Sequence, residues 1–185
     1  MKKSNEEDAA APKPECHFIT ARTHYNNRLS SIERLSTGSK NIDDILYGGV
    51  ETKAVTEFYG PPSSGKTQLC HTMCALVPQD KFKGGACGKS IYIDTEGTFR
   101  TKRIAVIAWA RGFDADMTID NVRVAEAADS EQQERIISHE IDSLLQKDKG
   151  NRVKLLVVDS PVTHYRSEYV GREMLPMRQQ KLYSA

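Results

Sequence analysis

A glycine-rich stretch, GPPSSGKT at residues 60–67, has the residue types and spacing of a phosphate-binding loop. Gly60 and Gly65 let backbone N–H groups wrap phosphate oxygens, and a helix starting directly afterwards adds its positive end. The Lys66 ammonium would reach the β- and γ-phosphates, and the Thr67 hydroxyl would bind Mg²⁺. The stretch therefore predicts a nucleoside triphosphate site. The residues predicted to contact the nucleotide are Gly60, Pro61, Pro62, Ser63, Ser64, Gly65, Lys66, Thr67 and Gln68.

Two carboxylates follow strand-like runs elsewhere in the chain. Asp159 comes directly after Leu-Leu-Val-Val, and Glu96 lies just beyond the run at 90–94. An acid after an apolar strand is costly to bury without a cation, and Mg²⁺ is the expected partner beside a phosphate-binding loop. Glu96 is the candidate base that orients a water for attack on the γ-phosphate. Taken alone, Asp159 also fits a turn cap, and Glu96 also fits a solvated turn residue.

Two arginines, Arg100 and Arg103, come shortly after Glu96. A guanidinium is planar and stacks on flat rings, so either arginine is a candidate for holding a purine base. Either one equally fits a solvated charge on a helix, and spacing alone does not choose between them.

The elements that must position these residues alternate between strand and helix patterns. Strands are predicted at 55–59, 90–94, 122–125 and 153–158, and helices at 66–76, 102–111 and 130–146. The last strand is almost wholly apolar, which is typical of burial on both faces of a parallel sheet. The alternation predicts an α/β fold with a mostly parallel sheet flanked by helices, whose strand ends meet at one edge.

Composition limits the classes of function. Charged residues make up 28% of the 185 residues and nearly balance at a net charge of +1, so any nucleic-acid contact must come from a local patch. No apolar run approaches the ~20 residues of a membrane span. The N-terminal lysines precede no apolar stretch, so we expect no secretory signal in this segment. The cysteines (Cys16, Cys70, Cys74 and Cys87) form no C-x-x-C pair, so we expect reduced thiols in a cytoplasmic protein.

Four stretches together resemble the RecA-type strand-exchange recombinases, in particular the archaeal RadA branch. They are SSGKTQLCH (63–71), YIDTEGTFR (92–100), LLVVDS (155–160) and YRSEYVGRE (165–173). The segment 36–60 resembles the start of that family's ATPase core, and the similarity runs from about residue 18 to residue 182. The resemblance implies a RecA-like P-loop NTPase core that uses ATP and Mg²⁺.

The resemblance also implies individual roles in ATP hydrolysis. Lys66 and Glu96 would be catalytic, Thr67 and Asp159 would hold Mg²⁺, and Arg103 would stack on adenine. It implies that Arg166, Tyr169, Arg172 and Arg178 belong to a DNA-binding loop. Arginines suit phosphates and a tyrosine suits a base, although the composition of this segment alone also fits a solvated loop.

A polymerisation segment is implied near the N-terminus. Phe18 and Ala21 match the family's F-x-x-A pattern, in which both side chains fill pockets on a neighbouring core while the backbone adds to its sheet edge. We therefore expect a disordered tail at 1–15, a linker carrying this segment at 16–35, and the core at 36–185.

The match has departures. The family's core continues beyond the position of Ala185, so the resemblance predicts a C-terminally incomplete core, either a fragment or a short paralogue. Pro61 and Pro62 remove two N–H donors from the loop. Pro176 is expected to kink or break a helix predicted over 173–182.

Two functions of different classes fit these features. The first is a DNA-dependent ATPase of homologous recombination and DNA repair, which forms filaments on single-stranded DNA and promotes strand exchange with double-stranded DNA. The second is a truncated, non-catalytic paralogue that binds ATP and modulates a full-length recombinase through Phe18 and Ala21. A small-molecule P-loop kinase is disfavoured because no acceptor-binding lid is evident. DNA-stimulated ATP turnover separates the first function from the second.

Overall fold

The computed structural model describes residues 18–148, 150 and 152–184 and divides the chain into two compact units, 1–32 and 33–185. In the first unit the described residues contain one helix, α1 (Ala21–Ser31), which occupies part of the predicted linker. The Thr20 side chain caps it by accepting a hydrogen bond from the Thr23 N–H. No residue of α1 is buried, so packing contributes little to its stability. The tail predicted at 1–15 lies outside the described residues.

The second unit alternates strands and helices. Its strands are β1 (Arg34–Leu35), β2 (Val50–Glu51), β3 (Lys89–Asp94), β4 (Val122–Glu126) and β5 (Val153–Asp159). Its helices are α2 (Lys40–Ile45), α3 (Lys66–Leu76), α4 (Thr101–Ala110), α5 (Ala115–Asp120), α6 (Ser130–Arg135), α7 (Ile141–Lys147), α8 (Thr163–Glu168) and α9 (Leu175–Ser184). A 3₁₀ turn lies at Lys81–Lys83, and a π-helical turn at Ile136–Glu140 joins α6 to α7.

The main sheet has three parallel strands in the order β4-β3-β5, and β1 and β2 form a separate antiparallel pair. Asp94 at the end of β3 lies opposite Asp159 at the end of β5 and Glu126 at the end of β4. This register brings the carboxyl ends of the strands to one edge. The predicted α/β fold with a parallel sheet flanked by helices is confirmed, and the arrangement is consistent with a RecA-like core.

The strand predicted at 55–59 is wrong, because this segment has no regular secondary structure. Val55 is 100% exposed and Tyr59 is 90% exposed. The alternating pattern of this segment fits a strand, but a strand needs a neighbour that pairs with its backbone. No described strand pairs with these residues, so the loop at 60–65 is approached from irregular chain.

Two further expectations are corrected. The strand β5 is not buried on both faces: Lys154 and Leu156 are exposed, and only Val157 and Asp159 are buried. The described elements cover its C-terminal end better than its N-terminal end. Pro176 does not break a helix, because α9 begins at Leu175 and places the proline in its first turn. Helix-start N–H groups have no intrahelical partner, so proline removes nothing there.

The core lies on both faces of β3. Tyr92 packs with residues of α3, α4 and β5, while its neighbour Ile93 packs with Ala127 and Ile136 near α6. Adjacent strand residues point to opposite faces, so β3 is the strand that is covered on both sides. On the outer surface of α4, Trp109, the single tryptophan of the chain, is 79% exposed.

Candidate nucleotide-binding site

The loop at 60–65 turns directly into α3. Ser63 and Gly65 have φ values of +64° and +94°, in the left-handed region. A Cβ at Gly65 would meet nothing within 4 Å, so glycine is favoured there by backbone conformation rather than by lack of space. Loops with left-handed residues can direct successive N–H groups toward an anion, and the unpaired N–H groups of the first turn of α3 follow directly.

The Lys66 ammonium lies over this loop. It donates hydrogen bonds to the carbonyl oxygens of Gly60 and Pro61, both at 3.0 Å. The Pro61 carbonyl also accepts a hydrogen bond from the Ser64 N–H at 3.3 Å. Proline lacks the N–H but keeps the carbonyl, so Pro61 contributes to the loop through the group that it retains. The cation is therefore held next to the backbone that is predicted to receive phosphate.

Asp159 joins the start of α3 to the end of β5. Its Oδ2 atom accepts hydrogen bonds from the Thr67 hydroxyl at 2.8 Å and from the Tyr92 hydroxyl at 2.6 Å. Asp159 is only 8% exposed. Burial, and then the hydrogen bond to Asp159, raises the pKa of Tyr92 well above its usual value, so Tyr92 remains a neutral donor. The two residues predicted to bind metal are therefore in direct contact.

This donor set fits Mg²⁺. The ion prefers oxygen ligands and commonly takes one or two from the protein, with water and phosphate oxygens completing its shell. The Thr67 hydroxyl and the Asp159 carboxylate are oxygen donors of this kind, at the mouth of a loop suited to phosphate. No cluster of three or more His, Cys, Asp or Glu residues suited to a metal occurs in the described part of the chain.

Asp94 shapes the turn that carries Glu96. Its buried carboxylate accepts hydrogen bonds from the N–H groups of Glu96, Thr98 and Phe99, at 3.1, 3.2 and 2.8 Å. Three backbone donors on one carboxylate fix the path of residues 95–99. Glu96 itself is exposed, with its side chain projecting from a constrained turn.

Hydroxyl groups connect this turn to the end of β5. The Thr95 hydroxyl donates to the Ser160 carbonyl and accepts from the Ser160 N–H, each at 2.8 Å. The Glu96 Oε1 atom accepts a hydrogen bond from the Thr163 hydroxyl at 2.7 Å. The candidate base is therefore held by the first residue of α8.

Arg103, the arginine predicted to stack on adenine, lies beside α3. The Arg103 Nε atom donates to the Gln68 side-chain oxygen at 2.6 Å, and Arg103 is exposed. The other candidate, Arg100, donates to the carbonyl oxygens of Gly97 and Phe99 in its own turn. Of the two guanidinium groups, the one of Arg103 is therefore linked to a residue of the predicted nucleotide site.

Beneath the site lies a buried aromatic cluster that includes His71. The His71 ring is 5.5 Å from Tyr92 and stacked on it, and it meets the edge of Phe99 at 5.2 Å. Neither His71 ring nitrogen has a hydrogen-bond partner among the described residues. Burial lowers the pKa of His71, so the neutral ring is favoured. Burial and the charge of Asp159 raise the pKa of the Cys70 thiol to about 12, which makes it a poor nucleophile.

The four predicted DNA-contacting residues lie on or between α8 and α9. Arg166 and Arg172 are exposed, and Arg178 is half-buried. Tyr169 is also half-buried, because its ring stacks on the buried Tyr165 at 6.5 Å. Two acidic residues, Glu168 and the exposed Glu173, lie among them, and Glu168 accepts hydrogen bonds from the Ser130 N–H and hydroxyl at the start of α6. This places the Glu168 carboxylate at the positive end of a helix.

The predicted polymerisation segment lies in the first unit. Phe18 is exposed in irregular chain, and Ala21 is the first residue of α1. An extended backbone through both positions would require the first turn of α1 to unwind. Since α1 buries none of its residues, that change disrupts no packing within the unit.

Sequence reasoning missed Tyr92, Asp94 and Thr163 as parts of the site. Tyr92 and Asp94 lie in the predicted strand at 90–94. From that pattern, Tyr92 is expected to be a core residue and Asp94 the polar end of a strand, so neither indicates a site. Thr163 carries no motif of its own, and its contact with Glu96 spans 67 positions. A donor for Glu96 could have been sought among the hydroxyl residues that follow β5, but the sequence does not choose between Ser160 and Thr163.

Among the described residues, no helix is long and apolar enough to span a bilayer. The family model for Rad51 matches residues 28–185, which covers most of the chain, including α3, β3, β5 and the segment from α8 to α9. The protein therefore belongs to the Rad51 family of RecA-type recombinases, proteins of DNA recombination and repair.

Proposed function

We propose that this protein is an ATP-binding, DNA-dependent ATPase of homologous recombination that forms filaments on single-stranded DNA and promotes strand exchange with double-stranded DNA. The four stretches that include YIDTEGTFR and YRSEYVGRE support an archaeal RadA-like member of the family. The free thiols of Cys70, Cys74 and Cys87 support a reducing cytoplasmic location.

One observation carries the proposal: the Thr67 hydroxyl and the Asp159 carboxylate, 92 residues apart, meet at 2.8 Å at the end of the sheet. In a nucleotide complex, Thr67 and Asp159 would hold Mg²⁺. When bound, the ion would neutralise charge on the β- and γ-phosphates. Lys66 would exchange its two carbonyl partners for phosphate oxygens, and Arg103 would stack on the adenine. Glu96 would accept a hydrogen bond from the attacking water and orient it in line with the γ-phosphate.

DNA would be bound by the segment from α8 to α9. Arg166 and Arg172 are exposed and suit phosphate groups, and the Glu168 carboxylate is directed to the start of α6 by its hydrogen bonds from Ser130. Tyr169 would offer one ring face to a base, since the other packs on Tyr165. Arg178 on α9 would contribute a further positive charge.

Filament growth would use Phe18 and Ala21. A second copy of the chain, or a full-length recombinase, would receive them beside an edge strand of its sheet. One edge of β4 pairs with no other described strand, and Ala125, Ile137 and Ile141 line an apolar cluster next to that strand. An edge of this kind supports the assignment, because an added strand needs both free backbone groups and an apolar neighbour.

ATP turnover by the purified chain, measured with and without single-stranded DNA, tests the proposal. We expect Mg²⁺-dependent turnover that rises with DNA. Lys66→Ala should reduce it at least ~100-fold, because the ammonium stabilises charge on the transferred phosphoryl group. Lys40→Ala is the control, since Lys40 lies on α2 and pairs with Asp44. Turnover that survives Lys66→Ala would show that the assigned active site is wrong.

A further inference from the structure

A line of side-chain hydroxyls connects Glu96 to the base of α8. The Thr163 Oγ1 atom is 2.7 Å from Glu96 Oε1 and 2.5 Å from the Ser160 hydroxyl oxygen. Glu96 as a carboxylate only accepts hydrogen bonds, so Thr163 must donate its single hydroxyl proton to it. The Ser160 hydroxyl must then donate to Thr163. The direction of the whole line, from Ser160 through Thr163 to Glu96, follows from this count of protons.

Ser160, one end of this line, is anchored, and Thr163, its middle member, belongs to α8. The Ser160 backbone exchanges two hydrogen bonds with the Thr95 hydroxyl, which fixes Ser160 against the turn that carries Glu96. Thr163 is the first residue of α8, so its position moves with that helix. The Glu96 side chain has one described hydrogen-bond donor, Thr163, and is otherwise exposed. The orientation of the Glu96 carboxylate is therefore coupled to the placement of α8.

The same short helix carries a proposed DNA contact. Arg166 lies one turn after Thr163, and its backbone N–H donates to the Val162 carbonyl at 3.0 Å. Three side chains hold α8 to neighbouring elements. Glu168, its last residue, binds the start of α6, and the Tyr165 hydroxyl donates to Glu134 on α6 at 3.1 Å. The His164 Nε2 atom, next to Thr163, lies 2.7 Å from the Ala127 carbonyl oxygen. Because these contacts hold α8 along its length, the helix should move as one unit, and a phosphate that displaces Arg166 would displace Thr163 with it.

We propose that Thr163 is a positioning residue that orients Glu96 for ATP hydrolysis and transmits DNA binding at Arg166 to that carboxylate. This inference rests on the proposed function. The Thr163 hydroxyl donates its hydrogen bond to Oε1 of Glu96, so Oε2 is left to accept a hydrogen bond from the attacking water. Without the Thr163 hydroxyl, Glu96 would sample more rotamers and spend less time in the productive orientation.

Steady-state ATP turnover of Thr163→Val and Thr163→Ser, with and without a deoxythymidine oligonucleotide, tests the role. Valine keeps the branched shape and removes the hydroxyl, whereas serine keeps the hydroxyl. We expect Thr163→Val to lower the DNA-stimulated kcat about tenfold, with the KM for ATP changed less than twofold, because the hydroxyl acts on the orientation of Glu96 rather than on nucleotide affinity. Thr163→Ser should stay within about twofold of the parent chain in both constants.

Two results would overturn the inference while leaving the proposed function intact. One is a Thr163→Val chain whose DNA stimulation equals that of the parent. The other is a Thr163→Ser chain as impaired as Thr163→Val, which would indicate packing rather than hydrogen bonding.

Thermal unfolding of Glu96→Gln, Thr163→Val and the double variant adds a readout that needs no ATPase activity. Non-additive Tm shifts support the Thr163–Glu96 contact, and additive shifts overturn it. If the Tm shifts are non-additive but the parent chain hydrolyses no ATP, the Thr163–Glu96 contact stands and the proposed ATPase function is wrong.

Discussion

At the scale of single residues, the site depends on polar side chains that satisfy one another in a buried setting. Asp159 receives two hydroxyl donors on one oxygen atom, and Asp94 receives three backbone donors. Without such donors, burial of a carboxylate would destabilise the folded state. The same donors fix where each carboxylate lies before any ligand arrives, which is the preorganisation that the proposed phosphoryl transfer would require.

Tyr92→Phe should destabilise the chain by about 1 kcal/mol, because it removes one of the two hydroxyl donors on buried Asp159. Urea unfolding measures the change. Tyr165→Phe is the matched control: it also removes a tyrosine hydroxyl that donates to a carboxylate, in this case Glu134 on α6. Both variants should lose stability, but only Tyr92→Phe should weaken Mg²⁺-dependent nucleotide binding. Equal nucleotide affinities would contradict a role for Tyr92 in holding Asp159.

The chain should lose stability as the pH falls from 7.5 to 5.5, in part through His71. Burial lowers the pKa of His71 in the folded state, while the unfolded chain keeps a value of about 6.5. Below that pH the unfolded state binds more protons, so the free energy of unfolding decreases with decreasing pH. His71→Phe keeps a flat ring against Tyr92 and should reduce the slope of Tm against pH. Equal slopes for His71→Phe and the parent would refute the assignment.

At the scale of elements, the sequence predicted the parallel sheet and the helix after the glycine loop, but a local strand pattern alone failed at 55–59. The helix predicted at 66–76 matches α3 residue for residue, because the glycine loop before it fixes where it begins. The strand predicted at 55–59 failed because pairing depends on a distant partner that the local pattern does not contain. The contact of Thr67 with Asp159 followed from the rule that parallel strands end at one edge. The contact of Thr163 with Glu96 did not, because it depends on how α8 leaves that edge.

Two glycines with left-handed backbones allow the steric cost of an added Cβ to be separated from the cost of the backbone conformation. Gly49 has φ of +118°, and a Cβ there would lie 2.2 Å from the Leu35 carbonyl oxygen. Gly112 has φ of +70°, and a Cβ there would meet nothing within 4 Å. Gly112→Ala should cost about 1 kcal/mol for the backbone conformation alone. Gly49→Ala should cost roughly 3 kcal/mol or more, because the β1–β2 pair must also move apart. Denaturant unfolding of both variants checks this, and equal costs would contradict the steric account.

At the scale of the whole molecule, a nearly neutral chain binds DNA only if its charges are locally arranged. Arg166→Ala combined with Arg172→Ala should weaken single-strand binding and reduce the slope of log affinity against log salt by about 1.4. Fluorescence anisotropy over a salt series measures both quantities. Lys40→Ala combined with Lys147→Ala removes the same charge from exposed positions on α2 and α7. If that control changes the slope as much, net charge rather than the segment from α8 to α9 governs binding.

Self-association should depend on Phe18. Phe18→Glu places a charge where the proposal requires an apolar pocket, so light scattering should report a smaller assembly in the presence of ATP and DNA. Ile19→Glu is the control, since Ile19 is a neighbouring exposed apolar residue outside the F-x-x-A positions. An assembly insensitive to Phe18→Glu would remove this segment from the interface.

Trp109 gives the molecule an intrinsic optical reporter. It is the single tryptophan of the chain, and its indole is mostly in contact with solvent on α4, the helix that also carries Arg103. Its emission should therefore resemble that of indole in water, and it should be open to quenching by iodide. Any neighbouring molecule that covers this helix would shift the emission to shorter wavelengths and slow the quenching, without a dye or a tag.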